Sequence, residues 1–524
     1  MKVHQTPPLF DCEQIEEVNN AKPASACNFS SQASPKLKPI DRCQMIFRTV
    51  EIEKLIPEDH EARAIWEFVG RLDLNTYYND IKSKEGSAGR AALDPRLMIC
   101  IWAYSYGKGI ASAREIAQLC EFDPAYQWLT GMTSVNYHSL SDFRVDHGEA
   151  LDNLMIEILA LLSAEKLITM ERVMHDGTKI KARASGKSFR REETLLEHLK
   201  LAQEQISELE KIQSTDEYSS FRQKAQERAV RERKEKLEKS LSELEKIRSI
   251  KKSQKEKDEA RASMTDPESR TMKQNNGGFS PSYNIQISTD AKNGLIVGVG
   301  ATQAGNDNGE LIPSLERIEK FTGQVPEQIV ADAGYTTKSN IMEMADGETE
   351  FFGSMPATSA PNTMKKRDGD PDFDIKAFSY DATDNTFTCP DGQKMCLKAR
   401  TEENASIISK YYAEKGVCQK CRFQKQCCPQ NSLKGRSIQQ TVDKPEIAAF
   451  KNKMKTEEAK AIYKKRSEIA EFPNAWIKEK MGLRQFSLRG LVKVGMEALW
   501  ACITYNIQRW IGLQWRRRWA KSEG

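Results

Sequence analysis

Two aspartates stand beside glycines in short alternating stretches. One stretch is Val173-Met174-His175-Asp176-Gly177-Thr178 and the other is Ile329-Val330-Ala331-Asp332-Ala333-Gly334. Neighbouring strands of one sheet can bring two such carboxylates within a few ångström. Bare carboxylates that close repel each other, so the pair calls for a cation. Hard divalent ions, Mg²⁺ above all, take carboxylates together with water and phosphate oxygens. Two such ions about 3.5–4 Å apart can activate an attacking oxygen and stabilise a leaving one at a phosphodiester. The alternative for either aspartate taken singly is a strand-end Asp capping a turn. A third carboxylate, Glu471, shares a helical stretch with Tyr463, Arg466 and Lys478. Arg466 and Lys478 flank it at one and two turns and could grip phosphate. Glu497, on the next helix, is the competing third acid. His175, beside Asp176, reads as a strand residue rather than a ligand.

A second constellation is sulfur-based. Cys389-Pro-Asp-Gly resembles a zinc knuckle, and Cys418-x2-Cys421-x5-Cys427 supplies three more thiols, with Cys396 and Cys428 as spares. Four thiolates in tetrahedral array suit a structural Zn²⁺ that would fold a turn-rich insert with little apolar core. The alternative is a set of reduced cysteines in a small β-hairpin insert. Cys12, Cys27, Cys43, Cys100, Cys120 and Cys502 read as incidental or core. A third feature is Arg516-Arg517-Arg518, bracketed by Trp510, Trp515 and Trp519. Interleaved cations and aromatics suit phosphate contact and base stacking. The alternative is a terminal amphipathic helix that packs its tryptophans on the core.

The elements that must position these groups follow from periodicity. Residues 1–45 mix Pro, Ser, Asn and Lys without a period, which predicts a disordered leader. Residues 46–168 are helical, with Asp94-Pro95 opening an apolar helix to Tyr106, a helix over Ala111–Cys120, and a long amphipathic helix within His138–Lys166. This is a helix-turn-helix-like DNA-binding module or a plain helical bundle. Residues 169–191 turn strand-like. Residues 192–261 form a coiled-coil hairpin insert, with a break near Ser214–Ser219, that serves either dimerisation or as a spacer arm. Strands return at Tyr283–Ser288 and Leu295–Thr302, followed by a helix over Gly309–Phe321 and a strand over Gln328–Ala331. The core is thus expected over 169–191 and 262–364, a Cys-rich insert over 365–440, and the C-terminal helices and basic tail over 441–524, with a break at Pro473. The whole is an α/β core with two interruptions.

Asp176, Asp332 and Glu471, with the string Tyr-x2-Arg-x4-Glu-x6-Lys, resemble the DDE transposases of bacterial insertion sequences. The similar subgroup carries a coiled-coil insert after the first Asp and a cysteine cluster after the second. His138-Ser-Leu-Ser-Asp-Phe-Arg144, Ser263-Met-Thr-Asp-Pro-Glu-Ser-Arg270, Tyr283-Asn-Ile-Gln286, Arg489-Gly-Leu-Val-Lys-Val494 and Tyr505-Asn-Ile507 match it too, over about residues 48–512. The chain departs from the family at Asn474, where an aromatic residue is usual. The resemblance implies an RNase H-like catalytic core and Mg²⁺-dependent cleavage at inverted-repeat ends, followed by strand transfer into target DNA. It implies that Asp176, Asp332 and Glu471 hold two Mg²⁺ ions, that Arg466 and Lys478 contact DNA phosphate, and that Tyr463 supports end binding. Arg144, in the matching helical motif, and Arg516, Arg517 and Arg518 are the further DNA-binding candidates. A homodimer on double-stranded DNA is expected, because two ends must be cut together. The rivals are a catalytically inactive DNA-binding relic and an RNase H-like nuclease that does not transpose.

Composition is consistent with these expectations. The 524 residues exceed one ordinary domain. Net charge is only +4, but Lys478–Gly524 carries +7 and the remainder −3, which places a polyanion at one surface. The N-terminus has no apolar core or cleavage signal, and no apolar stretch is long and uncharged enough to span a bilayer, so no membrane partner is expected. The twelve cysteines make no disulfide scaffold, and a bacterial cytoplasmic, nucleoid-associated protein is expected.

Overall fold

The computed structural model describes residues 45, 49–83, 91–213, 221–274, 276–355, 370–403, 405–429 and 435–518. The chain divides into Met1–Val50 and Glu51–Gly524. Apart from Met45, the expected leader lies outside the described residues, as do the break at Ser214–Ser219, Trp519, Cys12, Cys27 and Cys43. The fold of Glu51–Gly524 is mixed α/β.

Helices at Glu61–Val69, Pro95–Gly107, Ala113–Phe122, Tyr137–Asp146 and Gly148–Ala164 open this unit. Their starts are written in the sequence. The side chains of His60, Asp94, Ser112 and Asn136 each accept a backbone N–H of the first turn, and Pro95 occupies a position where no donor is needed. Pro95–Gly107 is apolar nearly all round because it is buried all round, from Leu97 to Tyr106. The last long helix, Leu491–Trp510, packs on it, and also on Gly148–Ala164 and on the sheet. The helical module and the C-terminal helix therefore share one core.

The central sheet is built from β1 (Arg172–Lys181), β4 (Arg270–Lys273), β5 (Phe279–Asp290), β6 (Ile296–Thr302), β7 (Gln328–Ala331) and β8 (Glu350–Gly353). The pair β2 (Phe189–Arg190) and β3 (Ala262–Ser263) stands apart from it. β5 runs antiparallel to β1 on one side and pairs with both β4 and β6 on its far edge. β7 runs parallel to β1 on the other side, and β8 parallel to β7. Strand period two divides β1 between two layers. Val173 belongs to the core shared with Leu311 and Ile318 of the helix Leu311–Thr322. Met174 packs with Val330, Phe352, Ala459, Ile462 and Ala470 on the opposite face. Helices cover the sheet on both sides, so its central strands are largely buried on both faces, β5 with a polar row of Ser282, Asn284, Gln286 and Ser288 on one of them.

Between β2 and β3, helices Glu192–Gln213 and Phe221–Ile250 lie antiparallel, with Leu195, Ala202, Leu237 and Leu244 in their seam. The Arg248–Glu192 and Arg231–Glu210 ion pairs, 2.8 and 3.4 Å, set the antiparallel register. The root of this arm is tied to the core. Glu243, 2% exposed, pairs with Arg270 and accepts from Gln303 Nε2 at 3.2 Å. A second, antiparallel sheet follows β8 in the order β13-β12-β11-β10-β9, comprising β9 (Ser379–Asp381), β10 (Thr386–Thr388), β11 (Lys394–Glu403), β12 (Ser406–Tyr412) and β13 (Ser437–Asp443). Its small core holds Phe378, Phe387, Met395, Tyr411 and Ile438.

The chain then returns through helices Pro445–Lys453, Glu457–Lys464 and Arg466–Ala475. The expected break at Pro473 does not occur. The α-helix carries Pro473 inside it and runs on to Ala475, then widens into a π-helical turn over Trp476–Lys480. The wider turn immediately after the proline takes up the irregularity that its missing N–H and its ring impose. Among the described residues no helix is long and apolar enough to cross a membrane.

Candidate active site

Asp176 lies in the middle of β1 on the Met174 face. The β1–β7 register pairs Met174 with Val330. The paired ladder stops there, and Asp332 follows just past the end of β7, close enough for its charge to act on the Asp176 carboxyl. Burial pushes the Asp176 carboxyl up to about 6; the Arg466 guanidinium pulls it down, and the Asp332 charge pushes it the same way as burial. One oxygen of Asp332 closes its own turn by accepting the Gly334 N–H at 2.7 Å. The turn-capping role and the acidic-pair role thus coexist in one residue.

The helix Arg466–Ala475 crosses over this pair. Asn474 Nδ2 donates to Asp176 Oδ2 at 3.0 Å, and Arg466 Nη1 stands 3.7 Å from Asp176 Oδ1. Arg466 Nη2 is 4.0 Å from Glu471 Oε1, and its guanidinium lies 5.9 Å from the centre of the Tyr463 ring. Lys478 feels the Asp176 charge, while burial lowers its ammonium below the usual lysine range. Asp176, Asp332, Arg466 and Lys478 are therefore gathered at one place, with Tyr463 against Arg466. Glu471 stands at the rim with its side chain 62% exposed. Among the described residues no three His, Cys, Asp or Glu side chains are arranged to hold a metal ion. The donor set does suit a hard cation. The half-buried Asp176 and Asp332 carboxylates act on each other, and the Asn474 amide beside Asp176 keeps Oδ1 buried without a hydrogen-bond donor.

Behind this pair, on the other face of β1, runs a polar network that sequence reasoning missed. His175 is fully buried, bonded to Ser288 Oγ, Gln286 Oε1 and Ser314 Oγ at 2.9, 2.9 and 3.0 Å. Burial lowers it to about 4, so the neutral ring donates from Nε2 to the Gln286 carbonyl oxygen. Tyr335 Oη donates to the same oxygen at 2.5 Å. Asp307 Oδ1 accepts from Asn284 Nδ2 at 2.7 Å and Gln286 Nε2 at 2.9 Å. These groups converge on Gly177. A Cβ there would meet Asp307 Oδ1, Gln286 Nε2 and Tyr335 Oη at 2.6–2.7 Å, so any side chain after Asp176 would displace this network. Tyr335 thereby ties the turn that carries Asp332 to β5, the neighbour of the strand that carries Asp176. The signal available in the sequence was the polar pair Asn284 and Gln286 at alternate positions of an otherwise buried strand.

Other candidates take different places. Glu497 is fully buried, and its two oxygens accept from Ser487 N, Ser487 Oγ and Leu488 N at 2.7–3.1 Å. It pins a loop and does not compete as the third acid. Arg144 is 5% exposed and spent on interior partners. It donates to Ala111 O at 2.8 Å and Ser487 Oγ at 3.2 Å and lies over the Trp102 ring. The expectation of a DNA contact at Arg144 is corrected to a structural tie. Trp510 and Trp515 are buried and donate their indole N–H to Glu165 and Glu67 at 2.8 Å. The packing alternative holds for them, and they stack on no base. Arg516, Arg517 and Arg518 remain exposed, and Arg518 pairs with Glu67 at 3.3 Å.

Cys389, Cys418, Cys421, Cys427 and Cys428 line one cavity at the edge of the second sheet, whereas Cys396 is exposed on β11. Burial raises the Cys418 and Cys421 thiols and carries Cys427 to about 11. Cys389, Cys418 and Cys421 each receive a backbone N–H, from Gln393, Arg436 and Phe423, at 3.3–3.4 Å. Donors aimed at sulfur favour the thiolate that a zinc ion needs.

Two segments match known families. Residues 388–511 match a family model described as a transposase DDE domain. Residues 50–146 match one described as a transposase domain. The first segment contains the clustered cysteines and the stretch Tyr463–Lys478, the second contains the helical module up to Asp146, and Asp176 and Asp332 lie between them. No curated protein matches the chain.

Proposed function

We propose, from the premise that the two matched segments indicate a transposase of the DDE family, that this chain cleaves DNA at the inverted-repeat ends of an insertion sequence and joins them to target DNA. The single observation that carries the reading is the meeting of Asp176 and Asp332 under a helix that supplies Arg466, Glu471, Asn474 and Lys478. The strand order β6-β5-β1-β7-β8, with β5 alone reversed, supports an RNase H-like core.

In this reading Asp176, Asp332 and Glu471 are the catalytic acids and the residues that would hold two Mg²⁺ ions. Glu471, long and exposed, reaches the pair by a change of rotamer. The ions, when bound, supply Lewis-acid polarisation of phosphodiester oxygens. The chain's own groups do the rest. Asn474 fixes the orientation of the Asp176 carboxylate. Arg466 and Lys478 neutralise the phosphate brought to the site, and Tyr463 braces Arg466. The released 3′ hydroxyl then attacks a target phosphodiester at the same centre. The exposed Arg516, Arg517 and Arg518 add phosphate contacts along the duplex. Cys389, Cys418, Cys421 and Cys427 would hold one structural Zn²⁺. Two ends cut together need two subunits, so the working form is a homodimer on DNA in the bacterial cytoplasm, associated with the nucleoid. A binding-only relic is not favoured, because all three acids and both phosphate-binding cations are kept.

The test is to incubate the protein with DNA carrying the ends that flank its gene, with Mg²⁺ or with EDTA. Cleavage at the ends should require Mg²⁺ and vanish in Asp176→Ala, Asp332→Ala and Glu471→Ala. Binding without cleavage in the folded wild type would establish the relic instead. Cleavage of unrelated branched or hybrid substrates would establish the nuclease.

A further inference from the structure

A cleft of about 660 Å³ opens between the helical module and the catalytic core. One wall is made by the first turns of the helices Ala113–Phe122 and Tyr137–Asp146. The other wall is the continuation of β1 past Lys181 together with residues 485–487. The second wall is braced within itself. Phe486 N donates to Lys181 O, Gln485 Nε2 to Ala182 O, and Arg183 Nη1 to Ser487 O, at 2.7–3.0 Å. Buried Arg144 links Ala111 of one wall to Ser487 of the other, and Glu497 holds Ser487 from behind. The cleft is thus a rigid composite of the two matched segments and the strand that carries Asp176.

Its charge is one-sided. Arg114 and Arg183 are exposed on opposite walls, His138 is exposed between them, and Glu115 is the one acid among the lining residues. Arg114 lies 5.2 Å from the Tyr137 ring, which positions its guanidinium without neutralising it. The backbone N–H ends of two helices add partial positive charge on the same wall. Arg183 is seven residues beyond Asp176 and two past the end of β1, at most about 23 Å of chain and less than one turn of duplex DNA.

We propose that this cleft seats the phosphate backbone of the same duplex whose end enters the acidic site, with Arg114 and Arg183 as its two contacts. The proposal rests on the transposase reading. It assigns end binding to a surface shared by the helical module and the core rather than to the helices alone, and it replaces Arg144 as the contact, since Arg144 is the brace.

Fluorescence anisotropy across a salt series, with a labelled duplex carrying the element end and a second of unrelated sequence, tests it. The slope of log affinity against log salt should fall by about one in Arg114→Ala, about one in Arg183→Gln and about two in the double variant, equally on both duplexes. Arg114 is exposed, so its variant reports on binding even if Arg183→Gln loosens the wall. An unchanged slope and affinity in both single variants, with the wild type binding, overturns the cleft and leaves the transposase reading standing. A folded wild type that binds neither duplex overturns both.

Discussion

Asn474 Nδ2 donates to Asp176 Oδ2 at 3.0 Å across 298 residues of chain. The bond joins the central strand to the helix that carries Arg466 and Glu471. It also explains why a polar residue is tolerated at 7% exposure: its amide is used on the acid beneath it.

Asn474→Ala should therefore fold and bind DNA but cleave slowly. The loss expected is about tenfold to a hundredfold in kcat, the range that follows when a reacting group is allowed to drift by about 1 Å. Single-turnover cleavage and duplex affinity, measured side by side, separate the two effects. Equal losses in both would mean that Asn474 supports the fold rather than the acid.

Glu471 and Glu497 should fail in opposite ways. Glu471→Gln removes an exposed carboxylate, so the thermal midpoint should hold while cleavage disappears. Glu497→Ala strips the fully buried partner from Ser487 and Leu488 in a half-buried loop and should cost about 3 kcal/mol. Differential scanning calorimetry of the two variants shows which glutamate is chemical and which is structural.

His175 makes the fold sensitive to acid. Its folded value of about 4 lies below the ordinary 6.5, so between those values the unfolded chain binds a proton that the folded chain refuses. Its contribution is whole above pH 6.5 and is lost as pH falls toward 4, about 3 kcal/mol in all. Denaturant midpoints followed from neutral pH downward should drop more steeply in the wild type than in His175→Gln. Parallel curves would mean that another group governs the acid limb.

The cysteine cavity should carry one zinc per chain after metal-free purification and titration, read by native mass spectrometry. Cys418→Ser or Cys427→Ser should abolish uptake, and Cys396→Ser, on the exposed face of β11, should not. Uptake retained in Cys427→Ser but lost in a Cys428→Ser variant would exchange the fourth ligand for its neighbour, which lines the same cavity.

Local patterning made much of this molecule legible. Period-two alternation located β1 and a short apolar run located β7, and so placed Asp176 within a strand and Asp332 just past the end of one. The Asp94-Pro95 cap located the helix start at Pro95, the helix expected from Ala111 begins two residues later at Ala113, and the spacing of leucines located the arm. These signals are short-range, and each element's own residues carry them.

Tertiary structure alone decided which charged groups are chemical. Arg144, Glu497, Trp510 and Trp515 look like surface contacts or catalytic groups in a string of letters, and each is a buried tie, because burial depends on what packs against a helix from hundreds of residues away. Asp307 and Gln286 carry no local motif, yet the fold brings them against Gly177 and Tyr335 behind the acidic pair. The Pro473 helix shows the same limit from the other side. A proline predicts a break from local hydrogen bonding, and the packing of Ala470 and Asn474 on the sheet keeps the helix continuous and moves the irregularity one turn on.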